Sequence, residues 1–277
     1  PIAQQPYRMS RVEKEAVDNA ISEMKADGVV EDSTSPWVSP IVVVAKKNGK
    51  MRPCVDLRKV NAVTRDVRYP LGHIQDILDS VAPPAGEQRW HASIDMLSGY
   101  WQVPIVDPAS RLRTGFASPS GQYQYCRMPM GAKGAAAVFS HLANKMLGPL
   151  LQAPPLGSPP DSPPADDEGS GGQGSPYRRE HCVAVYLDDI LISSQSFTAH
   201  LWHVCMVLDL IRYASLKASV TKCEFGKRKV VFLGHLLDGL RGVVAPSPRN
   251  VANIAALPAP RCVRELRAFL GTVGYYR

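Results

Sequence analysis

Two aspartates stand side by side at Asp188 and Asp189, between the apolar runs 182–186 and 190–192. Adjacent carboxylates repel, and a hydrophobic sequence does not set them at the tip of a buried hairpin without compensation. A divalent cation compensates. Oxygen-only ligands suit Mg²⁺, or Mn²⁺ in its stead, and Mg²⁺ needs few protein carboxylates where substrate phosphates complete its octahedron. Taken alone, the pair is also an ordinary turn, since Asp is a common turn residue. A third carboxylate changes the balance. Asp95 ends the apolar-rich run 90–94. If that run is a strand beside the hairpin, three carboxylates converge in the layout of two-metal phosphoryl transfer, where one ion activates an attacking hydroxyl and both stabilise the reacting phosphate. The competing reading makes Asp95 an N-cap for the turn at Ser98-Gly99.

Positioning these groups requires strands and helices, and the pattern supplies both. Ser10 and Glu13 form a capping box, followed by Val12, Ala16, Val17, Ala20, Ile21 and Met24 on one helical face, and Gly28 ends the run. Residues 41–45 read as a β-branched strand, Asn48-Gly49 as a two-residue hairpin turn, and 51–56 as the return strand, with Pro53 keeping it at an edge. Residues 132–147 read as a helix ended by Gly148-Pro149, and 198–213 as another. Residues 229–237 read as a strand pair, and two short helices begin at Pro248 and Val263. This is an α+β pattern without regular βαβ winding.

The 277-residue chain carries a formal charge of +7. Basic chains of this size bind polyanions because neutralising phosphates releases counterions, although charge alone also fits a solvated basic surface. Residues 151–180 are rich in Pro, Gly and Ser and carry Asp161, Asp166, Asp167, Glu168 and Glu180 against Arg178 and Arg179, so the rest of the chain is more basic than the average. Such a segment cannot bury enough apolar surface to offset its ordering entropy, and it reads as a disordered surface loop. Its Gly-rich stretch lacks the flanking strand and helix of a phosphate loop. No apolar run is long enough to span a membrane. The N-terminus shows neither a secretory signal nor a starting Met, which suggests a piece of a longer protein. The six cysteines form no C-x-x-C pair, which argues against a zinc site and suits reduced thiols in an intracellular protein. His200 and His203 have a spacing open to a metal, but i, i+3 histidines on an amphipathic helix are more often surface residues.

The segment Val-Ala-Val-Tyr-Leu-Asp-Asp-Ile-Leu-Ile-Ser, residues 183–193, resembles the polymerase motif of reverse transcriptases, and of gypsy-type LTR retrotransposons in particular. Further stretches resemble that family in order: 33–40 and 54–61 its fingers, 94–103 its first catalytic motif, 127–131 its template and nucleotide motif, 222–225 and 232–235 the segment before the primer grip and the grip itself, and 265–271 with 275–277 its thumb. The resemblance implies a right-hand polymerase fold, with an N-terminal helix at 1–28 leading into the fingers, a fingers–palm core at 29–238 interrupted by the 151–180 insertion before the catalytic palm hairpin, and the start of the thumb at 239–277. It implies an RNA-directed DNA polymerase that adds dNTPs to a primer 3′-hydroxyl on an RNA or DNA template. Asp95 and Asp188 would be the metal ligands, with Asp189 the supporting third carboxylate. Lys47 and Arg52, on either side of the Asn48-Gly49 turn, would bind the incoming nucleotide, with Lys46 a rival for the role of Lys47. Tyr100 would be a steric gate against ribonucleotides, where the residue-level reading is a half-buried core tyrosine. Met130 matches a nucleotide-contacting position that is aromatic in the gypsy group. Phe232, Leu233 and Gly234 would hold the primer end. Continuation into RNase H and integrase domains of a polyprotein, and a cytoplasmic virus-like particle, are expected on the same ground.

Two departures from the family pattern bear on activity. The helix after the Met-Pro-Met-Gly motif has Ala136 where the family has proline and Gly134 where it has a polar contact residue. The insertion is the other departure, and it is expected to bulge outward and leave the hairpin intact, since long surface loops cost little stability. The runner-up function is a non-catalytic nucleic-acid-binding remnant of a decayed or domesticated element. A metal-dependent nuclease shares paired carboxylates, but a gate tyrosine argues against it. Lys227, Arg228 and Lys229 suit duplex phosphates and a solvated turn equally.

Overall fold

The computed structural model of the chain describes residues 1–45, 51–67, 69–70, 72–82, 87–152 and 182–276. In chain order its elements are α1 (Arg11–Ala26), β1 (Val30–Asp32), β2 (Ile41–Ala45), β3 (Met51–Val55), α2 (Arg58–Val63), α3 (Ile74–Val81), β4 (Trp90–Asp95), α4 (Pro108–Leu112), β5 (Phe116–Ser118), β6 (Gly121–Tyr125), α5 (Ala135–Gln152), β7 (Val183–Tyr186), β8 (Asp189–Ser194), α6 (Phe197–Tyr213), β9 (Glu224–Lys227), β10 (Lys229–Phe232), β11 (His235–Asp238), β12 (Val243–Pro246), α7 (Pro248–Ala255) and α8 (Val263–Gly274). They fall into two compact units, each assembled from two stretches of chain. One comprises Pro1–Leu71 and Leu97–Ala143, the other Gly72–Met96 and Asn144–Arg277.

In the first unit, α1 starts at a complete capping box. The Glu13 amide donates to the Ser10 hydroxyl, and the Ser10 amide donates to the Glu13 carboxylate at 2.7 Å. Val17 and Ile21 then bury against Phe116, Tyr123 and Tyr125 of the β1-β6-β5 sheet. The β2–β3 hairpin stands as its own two-stranded sheet, which leaves Pro53 at an edge, as expected. Its register differs from the expected one. A two-residue Asn48-Gly49 turn sets Ala45 opposite Arg52, whereas Ala45 stands opposite Met51. The turn itself, residues 46–50, lies outside the described residues. Helix α5 also corrects the sequence reading. It begins at Ala135, not at 132, and runs through Gly148-Pro149 to Gln152. Gly134 is left-handed at φ +86, and a Cβ there would meet the Val67 side chain at 3.2 Å. The glycine that departs from the family pattern is therefore required by the local backbone.

The second unit is built on the antiparallel sheet β7-β8-β4-β9. Ala92 and Ile94 of β4 and Ile190, Leu191 and Ile192 of β8 are fully buried. Each large apolar side chain so buried contributes about 1.5–3 kcal/mol. Leu78 and Val81 of α3 pack with Ala184, Leu191, Val230, Phe232 and Leu237, which joins this sheet to the β10-β11-β12 sheet. Phe232, expected at the primer grip, is thus a core side chain, 2% exposed.

His200 and His203 are not surface residues. The Ser194 hydroxyl lies 3.2 Å from His200 Nδ1 and 2.9 Å from His203 Nδ1. His200 is buried, as is His91 of β4, whose two ring nitrogens have no hydrogen-bond partner among the described residues. Burial holds His91 down at about 4, with His200, Arg89 and Arg228 adding to the effect and Asp238 opposing it. Burial, helped by His200, holds His203 at about 4 as well, and burial also lowers His200. A histidine whose folded value lies below its ordinary one binds protons more readily in the unfolded chain. Stability is then full above the ordinary value near 6.5 and is lost as pH falls from there toward 4. His91 alone is expected to cost about 2 kcal/mol between pH 7 and pH 5. Urea unfolding at both pH values checks this. His91→Phe should shrink the difference between the two by that amount, and an unchanged difference contradicts the assignment.

Among the described residues no helix is long and apolar enough to cross a membrane. All six cysteines are free thiols.

Candidate active site

The three aspartates meet at one end of the second unit's sheet. β4 and β8 pair in register from Trp90 opposite Ser194 to Asp95 opposite Asp189. Tyr186 pairs with Asp189, so Leu187 and Asp188 form a two-residue turn. The Met96 amide donates to the Asp188 carbonyl at 3.3 Å, which ties this turn to the end of β4. Leu187 is left-handed at φ +56. That conformation costs a β-carbon residue about 1–2 kcal/mol, a strain that persists where the surroundings over-determine the turn. The N-cap reading of Asp95 fails, because no side chain caps the turn that follows Ser98.

The electrostatics follow from this crowding. Partial burial raises the Asp189 carboxyl above its ordinary range, and the charges of Asp188 and Asp95 push it further, against the pull of Lys222. Lys222 is the residue that the sequence reading missed. Its ammonium donates to Asp95 Oδ1 at 2.9 Å and Oδ2 at 3.2 Å. The hydrogen bond to Asp95 raises the Lys222 value, with the charges of Asp95, Asp188 and Asp189 adding to it. Lys222 arrives here because the Ser219 amide donates to the Asp95 carbonyl at 2.8 Å and Met96 bridges to Ala218. Nothing in its sequence neighbourhood announces a partner 127 residues away.

Among the described residues no group of three or more His, Cys, Asp or Glu side chains is arranged to hold a metal ion. The donor set nevertheless fits a hard divalent cation. The three side chains offer oxygen alone, burial and then the neighbouring like charges leave Asp189 reluctant to ionise, and a cationic group already sits on Asp95. A Mg²⁺ ion held here would take its remaining ligands from substrate and water.

The other expected site residues divide between the units. In the first, Arg52 Nη2 donates to Met130 Sδ at 2.6 Å, which brings these two together. Asn61 supports the same loop, its amide donating to the Gly131 carbonyl at 2.9 Å while its Oδ1 accepts from the Lys133 amide at 2.8 Å. Lys47 and its rival Lys46 lie outside the described residues. Tyr100 sits in the 3₁₀ turn Gly99–Gln102, half-buried, its ring edge-on to Phe139 of α5 at 5.6 Å. In the second unit, Leu233 and Gly234 form the turn between β10 and β11, with φ of +48 and +76. Arg228 lies over the Trp90 ring at 3.7 Å, so of the basic run 227–229 it is packed, while Lys229 pairs with Asp238 at 2.8 Å.

Residues 44–237 match the family model described as reverse transcriptase (RNA-dependent DNA polymerase). The chain is 35% identical, over its whole length, to the retrovirus-related Pol polyprotein from transposon 297 of Drosophila melanogaster, and 28% identical to that from transposon gypsy of the same organism. It spans 23% and 24% of those two polyproteins. A foamy viral protease-reverse transcriptase, solved in complex with double-stranded DNA, superposes on 99% of the chain and 42% of its own length with a TM-score of 0.77 at 23% identity, which shows the α+β right-hand polymerase fold. With that match over most of its length, the chain belongs to the reverse transcriptase family, the RNA-directed DNA polymerases, in the line of the LTR-retrotransposon Pol polyproteins.

Proposed function

We infer that this chain extends a primer 3′-hydroxyl on an RNA or DNA template, consuming deoxynucleoside triphosphates and releasing pyrophosphate. The observation that carries the reading is the register that sets Asp95 opposite Asp189 beside the Leu187-Asp188 turn, with the Lys222 ammonium already on Asp95. Asp95 and Asp188, with Asp189 in support, would hold Mg²⁺ or Mn²⁺. Bound there, the metal would lower the pKa of the attacking hydroxyl and offset charge on the reacting phosphate.

The chain's own groups do the positioning. Arg52 offers a planar fork and Lys47 a point charge to the triphosphate, and Met130 lies against the same guanidinium. Tyr100 guards the sugar. The Leu233-Gly234 turn holds the primer end, with Phe232 anchoring it in the core. Phosphoryl transfer asks for little beyond such alignment and charge stabilisation. The kinship with Pol polyproteins supports an intracellular element whose polymerase adjoins RNase H and integrase domains and works inside a virus-like particle.

Primer extension on a primed RNA template with Mg²⁺ tests the reading. Stepwise dNTP-dependent lengthening supports it. Retained duplex binding without lengthening would favour a non-catalytic remnant, and shortening of the strands without dNTPs would favour a nuclease.

A further inference from the structure

Local contacts hold only part of the turn between β10 and β11, where the strands pair at Phe232 and His235 and His235 Nδ1 lies 3.0 Å from the Leu233 carbonyl. Leu233 and Gly234 between the paired residues are both left-handed, the pattern of a type I′ turn. Asn and Gly fill such a turn readily, whereas Leu does not. Groups from far along the chain add to this local hold. Tyr275 Oη donates to the Leu233 carbonyl at 2.9 Å. Asn250 Nδ2 donates to the Gly234 carbonyl at 3.2 Å and to Tyr276 Oη at 2.6 Å. The Ser247 amide donates to the same Gly234 carbonyl at 3.0 Å. The His235 ring lies 5.6 Å from that of Tyr275 and 5.1 Å from that of Tyr276, and the two tyrosines meet edge-on at 4.8 Å. A Cβ on Gly234 would stand 3.0 Å from both Asn250 Nδ2 and Tyr276 Oη.

Core packing does not account for this arrangement. α8, which ends at the tyrosines, has no buried residue, and Tyr275 is 43% exposed. What the tyrosines contribute is their hydroxyls, aimed at the turn. We propose that Tyr275, Tyr276 and Asn250 are positioning residues that hold the Leu233-Gly234 turn in the shape needed to align the primer's 3′-terminal nucleotide. The turn and the C-terminal end of α8 then move as one element. The proposal rests on the reading of that turn as the primer grip.

The test removes the two hydroxyls and keeps both rings, in the double variant Tyr275→Phe/Tyr276→Phe of the full chain. Single-nucleotide extension on a primed template should show kcat falling about tenfold, the scale of a small misalignment of reacting groups. KM for dNTP, the Kd for duplex and the thermal midpoint should stay within twofold or unchanged. Amide hydrogen exchange at Gly234 and His235 should accelerate. Gly234→Ala tests the grip itself and should lose at least as much kcat. Normal kcat in Gly234→Ala overturns the grip reading. Impaired Gly234→Ala with a normal double Phe variant overturns the brace alone. Unchanged exchange at the turn, or a parallel loss of kcat, duplex affinity and thermal stability, also overturns the brace.

Discussion

Asp188→Asn is expected to abolish primer extension, by on the order of a thousandfold or more, while leaving the fold and duplex binding in place. The substitution keeps the side chain's size and removes one anionic oxygen from the cluster. The hairpin is held by backbone bonds, including that from the Met96 amide to the Asp188 carbonyl, and none of these uses the carboxylate. Affinity for duplex comes mainly from phosphate contacts elsewhere and should change by no more than a few-fold. Single-turnover extension and a duplex-binding titration on the same preparation separate the two quantities. Extension within a few-fold of wild type would sink the metal-ligand assignment.

The second large effect is expected at Tyr100. Tyr100→Ala should raise ribonucleotide incorporation strongly, while Tyr100→Phe should change it little. The contact with Phe139 is edge-on and made by the ring, so Phe preserves the ring's setting and Ala empties it. Discrimination then arises from the clash of the ring with a 2′-hydroxyl, not from a hydrogen bond to the correct sugar. Comparing kcat/KM for a dNTP and its rNTP in both variants decides the matter. If Tyr100→Ala keeps the wild-type preference, the tyrosine serves packing and the gate lies elsewhere.

What could be read from the residues follows the reach of the interactions concerned. The Ser10–Glu13 capping box is complete within four positions, and β4 was legible from its own apolar run. The Asp188-Asp189 tip announced itself because two carboxylates between apolar strands are costly. The β2–β3 register was misjudged because Asn48-Gly49 is a strong local signal but the pairing of the strands prevails. Helix α5 starts later than its alanine-rich run predicts because Gly134 is left-handed, a conformation its helical spacing does not reveal. Lys222 and the tyrosines at the end of α8 lie in stretches that resemble the family, but their contacts are not legible there. Each acts on a partner that only the folded chain brings near. Helical spacing alone puts His200 and His203 at the surface, because it does not reveal the Ser194 hydroxyl at the end of β8 that both rings meet.

The pairing of β4 also sets an order of events during synthesis. Asp95 leaves the ribosome well before β8, and Lys222 follows 127 residues behind it. At roughly 5–20 residues per second, that gap lasts roughly 6–25 s. For most of that interval, until β8 emerges, the apolar strand of β4 has neither of its two sheet neighbours, and β9 comes only after Lys222. The first unit, whose stretches end at Ala143, can condense meanwhile around its own core. β4 is therefore an unpaired, aggregation-prone edge until β8 emerges and a half-paired one until β9 follows, and slow elongation or truncation between β4 and β9 should send the nascent chain to chaperones rather than to partial activity.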